Sequence, residues 1–127
     1  MTDWTTAVLG VTPNSSRYAY KAVEKLTENG FKTVALGFRP GEVSGIPILT
    51  TWPEHIENLK VVSLYIGSAR QPEFYEYILG LRPQKVIFNP GTENIEFYKQ
   101  LSLAGIKFEE ACTLVLISTG AYSEIIE

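Results

Sequence analysis

The chain has one cysteine, Cys112, and one histidine, His55, in 127 residues. No Ser–His–Asp, Cys–His or metal-ligand spacing can be assembled from them. Cys112 has no histidine near it in sequence to activate it, and it reads as a small buried apolar residue. His55 sits in Trp52-Pro53-Glu54-His55 and reads as a solvated loop residue. The chemistry that the sequence does support is anion binding. Ala7-Val8-Leu9 is an apolar run that stops at Gly10, and the polar turn Thr12-Pro13-Asn14-Ser15-Ser16-Arg17 comes after Val11. Apolar positions then recur at helical spacing. A strand, loop and helix in this order aim the unpaired N–H groups and the positive dipole end of the helix at whatever the loop encloses. A phosphate suits that position.

The elements that must hold this loop can be read on down the chain. A helix is expected from an N-cap at Ser15 or Ser16, with Ala19, Ala22, Val23, Leu26 and Tyr18 on its inner stripe and a stop at Gly30. Phe31–Leu36 is a second apolar strand. Gly37–Pro47, rich in glycine and proline, reads as a loop without lasting regular structure. Lys60–Ile66 is a third strand, apolar almost throughout as burial on both faces requires. Pro72 opens a helix to about Leu81 with Phe74, Ile78 and Leu81 inward. Lys85–Phe88 is strand four, Asn89-Pro90-Gly91-Thr92-Glu93 a turn, and Ile95–Ala104 a helix with Phe97, Leu101 and Ala104 inward. Ile106–Glu109 is a fifth strand. Ala111–Thr119 suits a short helix. Tyr18, Tyr20, Phe97, Tyr98 and Tyr122 read as packing residues, some of them available to a homodimer contact.

Strands alternating with helices at this spacing predict right-handed crossovers, and hence a Rossmann-like, doubly wound α/β domain. Its sheet would be mostly parallel and five-stranded, with helices on both faces. Length and composition, 45% hydrophobic and 20% charged, suit a single domain over residues 1–127. A net charge of -3 gives no general attraction to nucleic acid or to an anionic membrane. The lone cysteine fits a reducing compartment. Met1-Thr2-Asp3-Trp4-Thr5-Thr6 lacks the basic and apolar regions of a secretory signal, so a cytoplasmic protein is expected.

Ligands of such folds bind outside the carboxyl ends of the strands. The loops there carry Arg17, Arg39 and Arg70. A dinucleotide fingerprint would add glycines after strand one and an acidic residue at the end of strand two, where Gly37-Phe38-Arg39 stands instead. Arg39 could pair with the ribose phosphate of NADP or with the 3′-phosphate of coenzyme A.

Ser16-Arg17-Tyr18-Ala19-Tyr20-Lys21, Val86-Ile87-Phe88-Asn89-Pro90-Gly91-Thr92-Glu93 and Glu110-Ala111-Cys112-Thr113-Leu114-Val115 resemble the small single-domain CoA-binding proteins. These are similar in fold to the CoA-binding amino-terminal domain of the succinyl-CoA synthetase α subunit. The resemblance runs from about Ala7 to Tyr122. It implies that Gly10 and Thr12 to Arg17 hold phosphate through backbone amides. It implies further that Tyr65, Ile66, Gly67 and Ser68, with Asn89, Pro90 and Gly91, border the nucleotide and pantetheine arm, with Cys112 at the deep end. The family usually has Asn-Pro-Lys where this chain has Gly37-Phe38-Arg39; the positive charge is kept and the turn residues are not. The synthetase's phosphorylated histidine belongs to a second domain that this sequence lacks, so the expectation is non-catalytic binding of CoA or a CoA thioester. An NADP-dependent or other nucleotide-using enzyme, and an acyl-CoA-responsive regulatory or scaffold protein, are the alternatives.

Overall fold

Each apolar run reaches the sheet as a strand, and the two strongest helical stripes become its longest helices. The computed structural model describes residues 3–127; Met1 and Thr2, the start of the stretch read for a targeting signal, lie outside the described residues. The strands are β1 (Thr5–Val11), β2 (Lys32–Gly37), β3 (Glu42–Val43), β4 (Ile46–Leu49), β5 (Leu59–Leu64), β6 (Lys85–Phe88) and β7 (Lys107–Glu110). The helices are α1 (Tyr18–Glu28), α2 (Tyr75–Leu81), α3 (Ile95–Leu103) and α4 (Thr113–Ser118), with short 3-10 turns at Gln71–Phe74 and Tyr122–Glu124.

The sheet order is β3-β4-β2-β1-β5-β6-β7. All neighbours are parallel except the β3–β4 hairpin. The chain therefore winds outward from β1 through β2 to β4, then returns to the other side of β1 for β5, β6 and β7. That reversal puts a crevice at the carboxyl end of β1, between the loops after β1 and β5.

Alternation along the strands divides the core into two layers. Ala7, Leu9, Val62, Leu64 and Phe88 face α2 and α3, meeting Tyr75, Ile78, Phe97 and Leu101. Val8, Ala35, Val61 and Ile87 face α1 and the carboxyl-terminal segment, meeting Ala19, Val23, Leu26 and Tyr122. The link from β4 to β5 has no helix. Trp52 and Ile56 cover the sheet in its place, with Trp52 packed on Phe74 and Tyr77 at ring separations of 5.0 and 5.3 Å.

The structure corrects several expectations. The sheet has seven strands rather than five, because the segment read as a loop folds into β3 and β4 around Ser44 and Gly45, both at positive φ. Two residues of that kind form the tight turn that suits strand twist. The cap of α1 is Arg17 rather than Ser15 or Ser16, and Tyr18 is exposed instead of inward. Pro72 starts a 3-10 turn, not α2 itself. Ala104 is an exposed cap of α3. Ala19, Ala22, Val23 and Leu26 are buried as their spacing predicts, and α4 is a short helix. Among the described residues no helix is long and apolar enough to cross a membrane.

Candidate functional site

The end of β1 is fitted closely against its neighbours. Gly10 has φ of +99°, and a Cβ there would come 3.2 Å from the Tyr65 carbonyl and from Ile66 Cγ1. The β1–β2 register slips at this residue: Leu9 pairs with Leu36, while Val11 pairs with Gly37. Such a bulge bends a strand and re-aims the residues beyond it. Gly37 then lies so near that any side chain on it would overlap the Val11 carbonyl. An asparagine at position 37 has no room beside this β1 end, which gives a physical reason for the glycine found there.

Beyond the bulge the loop hydrogen-bonds to itself. Thr12 Oγ1 accepts the Asn14 N–H at 2.9 Å, and Asn14 Oδ1 accepts the Ser16 N–H and hydroxyl at 3.0 and 2.7 Å. This turn commits Ser16 to Asn14 and delays the helix by a residue. No side chain caps α1, and its first backbone bond runs from the Lys21 N–H to the Arg17 carbonyl. The N–H groups of Tyr18, Ala19 and Tyr20 consequently have no acceptor among the described residues.

A cavity of about 330 Å³ lies against this loop, lined by Gly10, Val11, Thr12, Asn14, Arg17, Phe38, Arg39, Tyr65, Ile66 and Arg70. A second, of about 350 Å³, shares Gly10, Thr12, Arg17 and Tyr65 and continues past Ser16, Tyr18, Ala19 and Pro90. Three arginines from three loops thus meet at one cavity. Among the described residues their ion pairing is limited to Arg70 with Glu73, at 3.9 Å and with both side chains more than half exposed. A pair of that kind is worth little, so the positive charge remains available to a ligand. A larger groove, about 740 Å³, runs between α1 and α4. Its lysines alternate with Glu24, and Lys25 pairs with Glu28 at 3.6 Å, so it offers no comparable concentration of charge.

The expected residues divide here. Gly10, Thr12, Asn14, Ser16, Arg17, Arg39, Tyr65, Ile66 and Pro90 line the two cavities; Pro13, Ser15, Gly67, Ser68, Asn89, Gly91 and Cys112 do not. Ser15 lines the α1–α4 groove, and Pro13 lies against Gly41.

Asn89 is buried and its amide is spent inward. Nδ2 donates to Ser63 Oγ at 3.0 Å and to the Leu64 carbonyl at 2.9 Å, while Oδ1 accepts the Thr113 N–H at 2.8 Å. Gln71, which carries no mark of function in the sequence, is fully buried. Its Nε2 donates to the carbonyls of Ile66 and Thr92 at 2.8 and 2.7 Å, and Oε1 accepts from Asn94 Nδ2 at 2.9 Å. It ties the loop after β5 to the loop after β6. A polar residue beside Pro72 at a helix entrance gives no signal of such burial, so only the fold discloses it.

Among the described residues two buried side-chain oxygens lack a hydrogen-bond partner, Thr27 Oγ1 on α1 and the Tyr65 hydroxyl beside the cavities. The Tyr65 hydroxyl is sealed from solvent. Burial, then the neighbouring Cys112 thiol, push its pKa well above the usual phenol range, against a smaller lowering effect of the nearby Thr113 and Ser63 hydroxyls, which bond to each other at 2.7 Å. Tyr65 is neutral at physiological pH and has a proton to donate. Cys112 caps α4 and is half-buried.

The strand order and the open helix end at the chain reversal define an α/β protein of the Rossmann type. Residues 4–118 match the family model described as a CoA binding domain, and the chain belongs to that family. A crystal structure of an uncharacterized protein is 43% identical, with a TM-score of 0.90 over 96% of this chain and 100% of that one. A Thermus thermophilus protein, at 24% identity and a TM-score of 0.82 over 94% and 90% of the two chains, shares the fold. So does a hypothetical protein from Pyrococcus horikoshii OT3, at 23% identity and 0.76 over 85% and 77%. No curated protein matches the sequence.

Proposed function

We propose that this chain binds coenzyme A or a CoA thioester, as a single unit and without catalysing a reaction, at the carboxyl ends of β1, β2 and β5. The observation that carries the reading is the pair of cavities joined at Gly10, Thr12, Arg17 and Tyr65. An elongated ligand with its charge near one end fits this shape. The diphosphate lies at the amides of Tyr18, Ala19 and Tyr20 and at Arg17, where helix dipole and guanidinium act together. Arg39 takes the 3′-phosphate. The pantetheine arm runs past Tyr18 and Pro90 along the Tyr65 side of the second cavity. The residues lining the two cavities include no carboxylate, imidazole or thiol, which favours a holding role over acid–base or nucleophilic chemistry.

Thermal-shift titration with CoA, acetyl-CoA, dephospho-CoA, NAD, NADP and ATP tests this. Ligand at a hundredfold excess over its dissociation constant stabilises by about 2.7 kcal/mol. CoA and acetyl-CoA raise the melting temperature, dephospho-CoA less so, and Arg39→Ala removes that difference. Stabilisation by NADP with none by CoA would replace this reading with a nucleotide-dependent enzyme.

A further inference from the structure

The wall of the first cavity holds a cluster of mutually tilted aromatic rings, capped by a guanidinium, that the phosphate contacts do not use. Trp52 is fixed by its Nε1–H, which donates to the Gly37 carbonyl at 3.0 Å. The Phe38 ring lies against both Trp52 and Phe74, at centroid distances of 5.4 and 5.6 Å, and is 46% exposed. The Arg70 guanidinium carbon stands 4.4 Å from the centre of the Phe38 ring. Phe38 and Arg70 both line the cavity that contains Gly10, Arg17 and Arg39.

A large aromatic ring left half exposed at a cavity wall, on a rigid aromatic base, is a stacking platform. Its outward side is occupied by a guanidinium, itself a flat, weakly hydrated cation that stacks on π systems. The separation of 4.4 Å leaves no room for another ring between them, so a further flat group can be added only on the outer side of Arg70. We propose that Phe38 and Arg70 form the nucleobase seat of this site: Phe38 is a positioning residue that holds the Arg70 guanidinium, and the guanidinium takes the adenine base of the ligand on its outer face. The inference rests on the CoA reading above and adds a specificity to it. The protein reads the base by stacking and charge, and the Gly-Phe-Arg turn after β2 exists to build this platform. The Arg70–Glu73 contact, at 3.9 Å between two exposed side chains, is weak.

The test is calorimetric titration of the full chain with CoA and with 4′-phosphopantetheine, which lacks the nucleotide. Arg70→Lys keeps the charge and removes the plane; Phe38→Leu keeps apolar volume and removes the ring. Base stacking lost by substitution corresponds to a weakening of about 5- to 150-fold. Arg70→Lys is expected to weaken CoA within that range and to leave 4′-phosphopantetheine unchanged. Phe38→Leu shifts CoA in the same direction by less, and Phe38→Trp restores it. Full CoA affinity in Arg70→Lys would mean that Arg70 acts as a charge on phosphate and would overturn the proposal, as would equal losses for both ligands. Failure of the unsubstituted protein to bind CoA would overturn the underlying reading, an outcome distinct from binding that ignores both substitutions.

Discussion

The loops after β1 and β6 leave the same edge of the sheet and look alike in sequence, each a short polar turn with a glycine before a helix. They spend their polar groups in opposite directions. After β6, Asn89 and Thr92 are buried, and their hydrogen bonds join β5, β6 and α4. Asn94 then caps α3, accepting from the Phe97 N–H at 3.3 Å. After β1, the side chains of Thr12, Asn14 and Ser16 bond within the loop, leaving three helix amides without an acceptor among the described residues and Arg17 exposed. A turn whose groups are all satisfied holds the fold. A turn that stabilises itself and leaves donors unsatisfied is organised for something outside the chain.

The sharpest way to break this comparison is Asn89→Ala. Three inward bonds disappear together and leave buried groups of Ser63, Leu64 and Thr113 to find other partners. The expected cost is about 3 kcal/mol, since each buried group left unsatisfied costs about 1–3 kcal/mol and neighbours in a network do not simply add. Urea unfolding measures it; a loss under about 1 kcal/mol would show that Asn89 is not the clamp described. Next comes Tyr65→Phe, with the opposite sign. Removing a buried hydroxyl that has no partner stabilises the protein by about 1 kcal/mol. The same variant should leave CoA affinity unchanged, because the hydroxyl presents no surface to the cavity. The smallest change is expected for Arg17→Ala, within about 0.5 kcal/mol in stability because the side chain is exposed. CoA affinity should nevertheless fall with it, and weak salt dependence of binding in the variant should show that a phosphate contact has gone.

Much of this was legible before the fold was known. The alternation of apolar runs and helical stripes placed β1, β2, β5, β6, α1 and α3, and the position of the first loop came from their order. The hairpin of β3 and β4 was hidden because its strands are two and four residues long, too short to show a period among the glycines and prolines around them. Ser44-Gly45 was a turn signal that could have been used. Within the candidate site, the sequence pointed to loops that line the two cavities without showing which way a side chain turns. Asn89 and Arg17 both suited a ligand by type; burial separates them. The meeting of Arg17, Arg39 and Arg70 depends on strand order, and the Phe38–Arg70 stack on the path of the β4–β5 link, neither of which local pattern encodes.

The central claim is that ligand phosphate sits at the open amino terminus of α1 while the loop after β6 serves the fold. Amide chemical-shift mapping of the full chain during CoA titration tests this most directly. The account predicts large, saturable shifts at Gly10, Tyr18, Ala19 and Tyr20, with the Thr92 and Thr113 amides moving little. Shifts centred on the loop after β6, or along the α1–α4 groove, with the Tyr18 to Tyr20 amides unmoved, would contradict it.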